Sequence, residues 1–444
     1  MRRSFLVVAL VASLSCATTT ASSPQASDPS TRAERGATPD TTAFVEALAI
    51  ARRFRAERIT SRRFTHAELW TGLAGPAGSP RLSVRPIGSS LHGREIRAVT
   101  FGTGPVRVLL WSQMHGDEST ATMAIADILH FFAGDGEHPL RTRLARSLTV
   151  TFVPMLNPDG AELFQRENAV GIDVNRDARM LSTPEARALK SLRDSIRPDF
   201  GFNLHDQGAR TRVGTGGPQA GIALLAPAYD ADRSWNDVRT KARHLASVLA
   251  SLLAREIPGR IARYDDTFNP RAFGDLMQQW GTSTVLIESG ALPDDPQKQR
   301  LRALNAAAIL AALDAIAGGR LEAMSTAAYD DLPVNAGGAN DLLVVGAQLV
   351  IPGAAPLRAD VAINFDDAVA RAGARLREVG DLRHTVAIDT LDASGLFLHP
   401  AAASLTRRGD RAWLRIGAPA AFELRRGADP GSALVRRIGD RDGD

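Results

Sequence analysis

The stretch Trp111–Phe132, WSQMHGDESTATMAIADILHFF, joins an apolar run to a segment with helical spacing. The run VRVLLWS before it has the length and composition of a buried strand, whereas the residues from Ser119 onward repeat at helical spacing. His115 and Glu118 therefore fall at a strand-to-helix junction, where one turn of chain can direct both side chains to a common point. The stretch predicts an α/β fold in which functional polar side chains lie at the end of a strand.

Strand-like and helix-like segments alternate on both sides of this junction. The short apolar segments EIRAVTFG, LTVTFVPM, DFGFNLH, GIALLAP and TSTVLIESG are separated by helical stretches such as SWNDVRTKARHLASVLASLLA. Such alternation predicts an α/β fold with a mixed, mostly parallel sheet and helices on both faces. After Gly318–Gly319 the pattern changes to short strands with Gly and Pro turns, which predicts a C-terminal β-rich domain.

The length of 444 residues favours two domains over a single domain with one hydrophobic core. We predict a signal peptide over residues 1–16 and a flexible linker over 17–42. An α/β domain over 43–318 and a β-rich accessory domain over 319–444 follow. The content of 44% hydrophobic and 23% charged residues is ordinary for a globular protein.

The N-terminus has the features of an export signal. Arg2 and Arg3 precede an apolar stretch that is too short to span a membrane as a helix. Cys16 stands where a lipoprotein signal places its acylated cysteine, although Ser13 replaces the usual leucine. Acylation of Cys16 and ordinary cleavage after Ala17 both stay open. We expect an exported protein in the periplasm or cell envelope, with membrane attachment only through an anchor on Cys16.

The charge distribution gives no support to nucleic-acid binding. The formal net charge is only +4, and the basic residues are scattered rather than gathered in a patch or stripe. We therefore expect no nucleic-acid partner.

Further polar residues follow the junction at intervals along the chain. Asn157-Pro158-Asp159-Gly160 is followed by Arg166 and by the run Asp173 to Arg176, while His205 and Glu288 each close an apolar strand. Zinc sites commonly combine two near neighbours with a third ligand from far along the chain. By spacing alone, however, a histidine such as His205 is more often a structural polar residue than a ligand, and Glu288 is a carboxylate at the solvent end of a strand.

The order of these motifs is specific. His-x-x-Glu, Asn-Pro-Asp-Gly, Arg, Asp-x-Asn-Arg, a distant His and a late strand-end Glu together resemble the zinc carboxypeptidase family, over roughly Ile87 to Gly290. The resemblance implies one Zn²⁺ ion bound by three ligands, which are His115, Glu118 and His205. It also implies that Asp173 holds the His115 ring from behind and fixes its tautomer.

The resemblance assigns roles to five more residues. Glu288 would be the general base and Arg166 would stabilise the oxyanion. Asn175 and Arg176 match the pair that binds the terminal carboxylate of the substrate, and Tyr264 matches the mobile tyrosine of the family with a small shift in position. Residues between this tyrosine and the base set side-chain specificity in the family, here within DDTFNPRAFGDLMQQWG.

Two positions depart from the digestive members of the family. Asp117 stands where they have an arginine, and Asp177 replaces an asparagine and is expected to place negative charge beside the carboxylate site. The predicted function is hydrolysis of a peptide bond near a substrate C-terminus by a metallocarboxypeptidase. Two alternatives stay open: an amidase of the same fold acting on cell-wall peptides that carry diaminopimelate or a D-amino acid, and a non-catalytic peptide-binding module.

Overall fold

The computed structural model describes residues 41–439 of the chain. The predicted signal peptide, Cys16 and most of the predicted linker lie outside the described residues. The predicted linker extends to residue 42, whereas the first helix begins at Thr41. No helix within 41–439 has both the length and the apolar character needed to cross a membrane.

The helices of the described chain are concentrated before residue 331. They are α1 Thr41–Arg53, α2 His66–Gly72, α3 Ala74–Ala77, α4 Thr120–Ala133, α5 Pro139–Ser147, α6 Pro158–Leu163, α7 Pro184–Ile196, α8 Asp237–Glu256, α9 Phe273–Gln279, α10 Gln299–Ala317 and α11 Ala327–Asp330.

Nine strands accompany these helices, and all but β6 form one sheet. They are β1 Leu82–Ser89, β2 Glu95–Phe101, β3 Val106–Ser112, β4 Leu148–Val153, β5 Phe200–Asp206, β6 Arg212–Val213, β7 Ile222–Leu225, β8 Ile261–Arg263 and β9 Ser283–Ser289. The sheet order is β1-β2-β4-β3-β5-β9-β7-β8. Its central strands β4, β3, β5 and β9 run parallel, whereas β1 and β2 at one edge and the β7–β9 pair are antiparallel. The predicted mixed sheet is confirmed.

Helices cover both faces of this sheet, as predicted. Successive side chains of a strand point to opposite faces. In β3, Val108 and Leu110 pack in the apolar core shared with α4, α8 and α10, while Leu109 and Trp111 pack in a second core with α7 and α9. Because both faces are largely apolar, the charged residues of the motifs lie at or beyond the ends of the strands.

The C-terminal part is β-rich, as predicted. It contains β10 Asn335–Ala336, β11 Asn340–Val345, β12 Gln348–Leu349, β13 Leu357–Arg358, β14 Asp360–Asp367, β15 Ala372–Gly380, β16 Ala387–Asp392, β17 Phe397–Pro400, β18 Leu405–Arg408, β19 Arg411–Leu414, β20 Phe422–Arg425 and β21 Leu434–Ile438. A four-stranded sheet, β15-β14-β11-β16, and a five-stranded sheet, β13-β12-β17-β20-β21, enclose a separate apolar core.

The residues just after Gly318 do not join these sheets. Leu321–Ala323 forms a short 3₁₀ helix, and Tyr329 of α11 packs in the core of the α/β part. The Tyr329 hydroxyl accepts a hydrogen bond from the Ala226 backbone at 3.0 Å. All described residues belong to one compact unit, so the division near residue 319 stays a prediction.

Candidate active site

His115, Glu118 and His205 meet at the carboxyl ends of two neighbouring strands. His115 and Glu118 lie between the end of β3 and the start of α4, and His205 lies on β5, which pairs with β3 in parallel. Nδ1 of His115 and Nδ1 of His205 are each 2.7 Å from a Glu118 carboxylate oxygen, and 3.2 Å from one another. All three side chains are buried. The structure thus brings together the three predicted ligands.

The turn that carries the first two ligands needs an unusual backbone. Gln113 adopts a left-handed conformation, with φ of 51°, directly after β3. Gly116 packs against the backbone of Gly160, where a Cβ atom would lie 2.0 Å from the Gly160 carbonyl carbon. Any side chain at Gly116 would therefore displace either the ligand turn or the Asn157-Pro158-Asp159-Gly160 turn. The two motifs lie together because their backbones are in contact.

Asp173 contacts the far side of the His115 ring. Its Oδ1 lies 2.9 Å from His115 Nε2 and also accepts a hydrogen bond from Asn175 N at 2.8 Å. A carboxylate at Nε2 favours a proton on that nitrogen, so Nδ1 is the ring nitrogen that could bind a metal ion. The predicted placement of Asp173 behind the ring matches this geometry.

The electrostatics of this cluster favour ionised carboxylates. Burial by itself lowers the pKa of His115, but the Glu118 and Asp173 carboxylates raise it to about 9. Burial raises the pKa of Glu118, and the two histidines more than reverse this effect, so the pKa falls well below its usual range. Both carboxylates are therefore ionised beside the two histidines, and a bound metal ion would compete with the His115 proton for this cluster.

The Arg166 guanidinium lies beside this cluster. Nε and Nη2 donate to Asp173 Oδ2 at 3.1 and 2.9 Å, and Nη1 donates to Glu118 Oε1 at 3.1 Å. The side chain is 40% exposed, so it borders the cleft rather than the core. Its charge is therefore fixed at the edge of the cluster formed by His115, Glu118 and His205.

Glu288 lies next to His205 across the sheet. The β5–β9 register pairs His205 with Glu288, so the two side chains emerge on the same face at the same height. Burial and the nearby Glu118 carboxylate raise the pKa of Glu288 well above its usual range. Glu288 is therefore a buried carboxyl group beside the cluster, in a position to exchange a proton there.

Asn175, Arg176 and Tyr264 also line the cleft. Asn175 Oδ1 accepts a hydrogen bond from Phe273 N at 2.9 Å, and Arg176 Nη1 donates to the Asn175 carbonyl oxygen at 2.9 Å. The Glu288 charge, followed by burial, raises the pKa of the Tyr264 hydroxyl. The structure therefore places all three predicted substrate-binding residues around one cavity.

This cleft has a volume of about 540 Å³. Its lining includes residues that the sequence analysis did not single out, namely Asn203, Asp206, Gln207, Thr211, Leu225, Asp265, Asn269, Asp275, Leu286, Asn335 and Gly337. Asn203 lies two residues before His205 on β5, and Gln207 lies two residues after it, just past the end of the strand. Side chains two residues apart along a strand point to the same face, so both positions could have been predicted from that of His205. Asp275 falls within the stretch assigned to specificity. Nothing in the sequence connects Asn335 or Gly337 with the site.

Asp117 and Asp177 do not line the cleft. The Asp177 carboxylate is buried and accepts hydrogen bonds from Ser182 N at 3.0 Å and Thr183 N at 2.7 Å. It thus stabilises the turn before α7 instead of placing charge beside the carboxylate site, and the expectation for this residue was wrong.

The donor set suits zinc. Two imidazole nitrogens and a carboxylate oxygen lie within 4.8 Å of one another, and they form the group within residues 41–439 that could hold a metal ion. Two histidines and one glutamate form a known ligand combination for catalytic zinc, and a carboxylate behind a ligating ring is the usual support. The residues present therefore fit the implied metal.

Comparison with known proteins agrees with this chemistry. Residues 77–210 match the family described as zinc carboxypeptidase. The chain is 27% identical over 187 residues to "Probable carboxypeptidase 2" of Trichophyton verrucosum, covering 42% of this chain and 34% of the relative. It is 26% identical over 161 residues to "Carboxypeptidase 2" of Trichophyton tonsurans, covering 36% of this chain and 29% of the relative. The chain thus spans about a third of the length of the curated relatives it matches.

Solved structures align with part of this chain at TM-scores below 0.5. A metallo-carboxypeptidase from Burkholderia cenocepacia aligns with a TM-score of 0.47 and 20% identity, over 57% of this chain and 69% of that chain. The carboxypeptidase A from Helicoverpa armigera aligns with a TM-score of 0.46 and 16% identity, over 62% and 81% of the two chains.

The family match includes His115, Glu118, Arg166, Asp173 and His205, all of which the structure gathers at one end of the sheet. This segment is therefore what the chain shares with the zinc carboxypeptidase family.

Proposed function

We propose that this protein is a zinc-dependent metallocarboxypeptidase, which hydrolyses a peptide bond near the C-terminus of its substrate. The observation that carries the proposal is the meeting of His115, Glu118 and His205 with Glu288 in one cleft. A binding module would need the cavity but would have no use for a buried carboxyl group beside the ligands. The cleft volume of about 540 Å³ suits a short peptide segment.

His115, Glu118 and His205 would hold the ion. Bound there, zinc would supply Lewis-acid catalysis. Glu288 would take a proton from the attacking water and deliver it to the leaving amine, a task for which its raised pKa is suited. Arg166 would stabilise the negative charge that develops on the carbonyl oxygen, since its guanidinium is already fixed at the edge of the cleft.

Asn175 and Arg176 would recognise the end of the substrate. Both line the cleft, and Arg176 offers the two-pronged donor geometry that matches a carboxylate. If they bind the terminal carboxylate, amidation of the peptide should lower the catalytic efficiency by roughly ten- to a hundredfold, the equivalent of a charged hydrogen bond.

The test is incubation of the purified, zinc-loaded protein with a peptide mixture, followed by mass spectrometry. Loss of single residues from free C-termini, but not from amidated ones, would support the proposal. Equal cleavage of acid and amide peptides would exclude the carboxypeptidase function. Cleavage restricted to diaminopimelate-containing cell-wall peptides would favour the amidase alternative, and binding without cleavage would favour the peptide-binding module.

Export to the periplasm or cell envelope is part of the proposal. It is supported by the arginine pair and apolar stretch at the N-terminus and by the position of Cys16. Fractionation of cells producing the wild type and Cys16→Ala, with mass spectrometry of the mature N-terminus, distinguishes lipid anchoring from plain cleavage. A protein that stays in the cytoplasm with its N-terminus uncleaved would contradict the proposed export.

A further inference from the structure

A segment from outside the matched family region forms part of the cleft wall. Residues 333–337, here called the strap, follow α11 and precede the β-rich sheets. Asn335 and Gly337 of the strap line the same cavity as His205 and Glu288. The strap is therefore in a position to contact a bound substrate.

The strap is bonded on one side to the chain that follows His205. β10 pairs with β6 in antiparallel register, Asn335 opposite Val213 and Ala336 opposite Arg212. Asn335 Nδ2 also donates to Gln207 Oε1 at 2.9 Å, only two residues beyond His205. The position of the strap is thus coupled to the end of β5, the strand that carries His205.

On its other side the strap is bonded to β8, which leads to Tyr264. Arg263 N donates to the Pro333 carbonyl oxygen at 2.8 Å, and Arg263 pairs with Val334 in a parallel bridge. The strap therefore bridges the loop after His205 and the strand before Tyr264.

An ion pair beside the strap links the chain after His205 to the β-rich part. Asp341, which is buried, accepts from Arg210 Nε and Nη2 at 2.9 and 2.7 Å and from Phe365 N at 2.6 Å. Arg210 Nη2 also donates to the Phe365 carbonyl oxygen at 2.6 Å. Because Arg210 and Asp341 lie close to β6 and β10 respectively, the pair restrains both strands.

The strap and the proposed carboxylate site are bonded to different segments of the chain around the cleft. Arg176 and Asn175 are bonded to Arg271 and Phe273, whereas the strap is bonded to the segment from Gln207 to Val213. Arg176, Asn335 and Gly337 all line one cavity, so the strap is available to the residues that precede the carboxylate of a substrate held by Arg176.

We propose that the strap is a specificity wall, which limits the length of the peptide on the amino side of the cleaved bond and directs the enzyme to short peptides. This inference rests on the proposed function. It assigns to Asn335 and Gly337 a role in substrate selection without a part in the chemical step.

Gly337 gives a direct way to test the wall. A Cβ atom there would meet nothing within 4 Å, and Gly337 does not have a positive φ, so a large side chain can be added without backbone strain. Gly337→Trp would narrow the cleft from the strap side. Gly216→Trp is the matched control, because Gly216 also has free space and lies on the loop after β6 but does not line the cleft.

The experiment measures kcat/KM on free-acid peptides that share their last two residues and lengthen at the amino end. For Gly337→Trp we expect a loss of roughly tenfold or more on the longest peptides and a change of less than about twofold on the shortest. Asn335→Ala should shift the preference towards longer peptides, and Gly216→Trp should give the same kcat/KM values as the wild type. Equal losses at every length, or no change at any length, would overturn the proposal.

Failure of the proposed function would be seen separately, as absence of cleavage of every peptide by the zinc-replete wild type. In that case the proposal is tested by binding alone, with the same peptides labelled for fluorescence anisotropy. We expect Gly337→Trp to weaken the binding of the longest peptides and to leave that of the shortest almost unchanged. Zinc content and melting temperature of each variant confirm that it is folded.

Discussion

At the scale of single residues, the site depends on charged groups held out of solvent. Glu118 contacts both histidines and Arg166, and Asp173 contacts His115 and Arg166. Two carboxylates thus surround one imidazole, so removal of any member leaves another buried charge without its partner. The site is therefore best tested by substitutions that keep the shape of the side chain, or by pairing each substitution with a control outside the cleft.

Loss of a ligand should abolish stoichiometric zinc binding. His115→Ala and His205→Ala each remove one Nδ1 from the three-atom donor set, and a two-ligand site binds zinc far more weakly. His244→Ala is the control, since His244 lies on α8 and contacts the Met324 carbonyl oxygen. Metal analysis after dialysis is the measurement. Full zinc occupancy in His205→Ala would remove that residue from the site.

Glu288→Gln should separate binding from turnover. Glutamine keeps the size of the side chain but cannot accept the proton, so we expect kcat to fall by ~100-fold or more while zinc stays bound. Glu322→Gln, an exposed substitution outside the cleft, should leave kcat unchanged. Retained turnover in a zinc-replete Glu288→Gln protein would mean that the base lies elsewhere.

Asp275 should make stability depend on pH. Burial raises the pKa of this cleft carboxyl to about 6, above its value in the unfolded chain. The folded state therefore binds the proton more tightly, and stability is lost as pH rises from about 4 to about 6. Asp275→Asn keeps an acceptor for Asn269 N and should raise the free energy of unfolding by roughly 1–3 kcal/mol at pH 7.5.

At pH 4 the same substitution should have little effect, because the wild-type carboxyl is then largely protonated in the folded state. Urea denaturation at both pH values, with and without zinc, is the measurement. A stabilisation that is equal at both values would show that the Asp275 charge is not its cause.

At the scale of elements, one buried lysine joins the ends of the two strands that carry His205 and Glu288. Lys298 Nζ donates to Asp206 Oδ2 at 3.0 Å and to the Ser289 carbonyl oxygen at 3.2 Å. Asp206 follows His205 on β5, and Ser289 follows Glu288 on β9. The ion pair therefore adds a link between the strand ends beyond the ladder of the sheet.

Lys298→Met should destabilise the protein, since it leaves Asp206 buried with Thr120 as its remaining side-chain partner. Breaking a buried pair costs about 3–5 kcal/mol. Lys298→Met combined with Asp206→Asn should recover part of this loss, because the unpaired charge is gone. Lys241→Met, at an exposed pair with Glu322, is the control. No loss of unfolding free energy in Lys298→Met would show that the link is dispensable.

The elements that hold the ligands could be predicted from sequence because each has a strong local signal. β3, β5 and β9 are apolar runs that end in a polar residue, and parallel strands place such ends at one edge of a sheet. β6 and β10 could not be predicted, since a two-residue strand has no periodicity and Asn335 pairs with Val213 far along the chain. The burial that raises the pKa of Asp275 is likewise a property of the packed molecule.

At the scale of the whole molecule, the α/β part and the β-rich part are joined by contacts on more than one side. The strap and the Arg210–Asp341 pair form one connection beside the cleft. Arg62 and Arg63 form another with Asp367, and the Arg62 carbonyl oxygen accepts a hydrogen bond from Ser119, the neighbour of Glu118. The β-rich part is thus bonded directly to the segment after His205, through Arg210, and indirectly to the segment of His115 and Glu118, through Arg62.

These connections predict a single cooperative unfolding transition. If the two parts were independent, each would melt at its own temperature, whereas shared ion pairs and a shared strand pair couple their stabilities. In differential scanning calorimetry, we expect one transition for the wild type and a lower melting temperature, still in one transition, for Asp341→Asn. That variant weakens the charge pairing of Arg210 but keeps an acceptor for Phe365 N. Asp389→Asn, at an exposed pair with Arg371, should melt like the wild type. Two resolved transitions would instead mean that the residues after 319 fold as a domain of their own, and that the strap is held by local pairing alone.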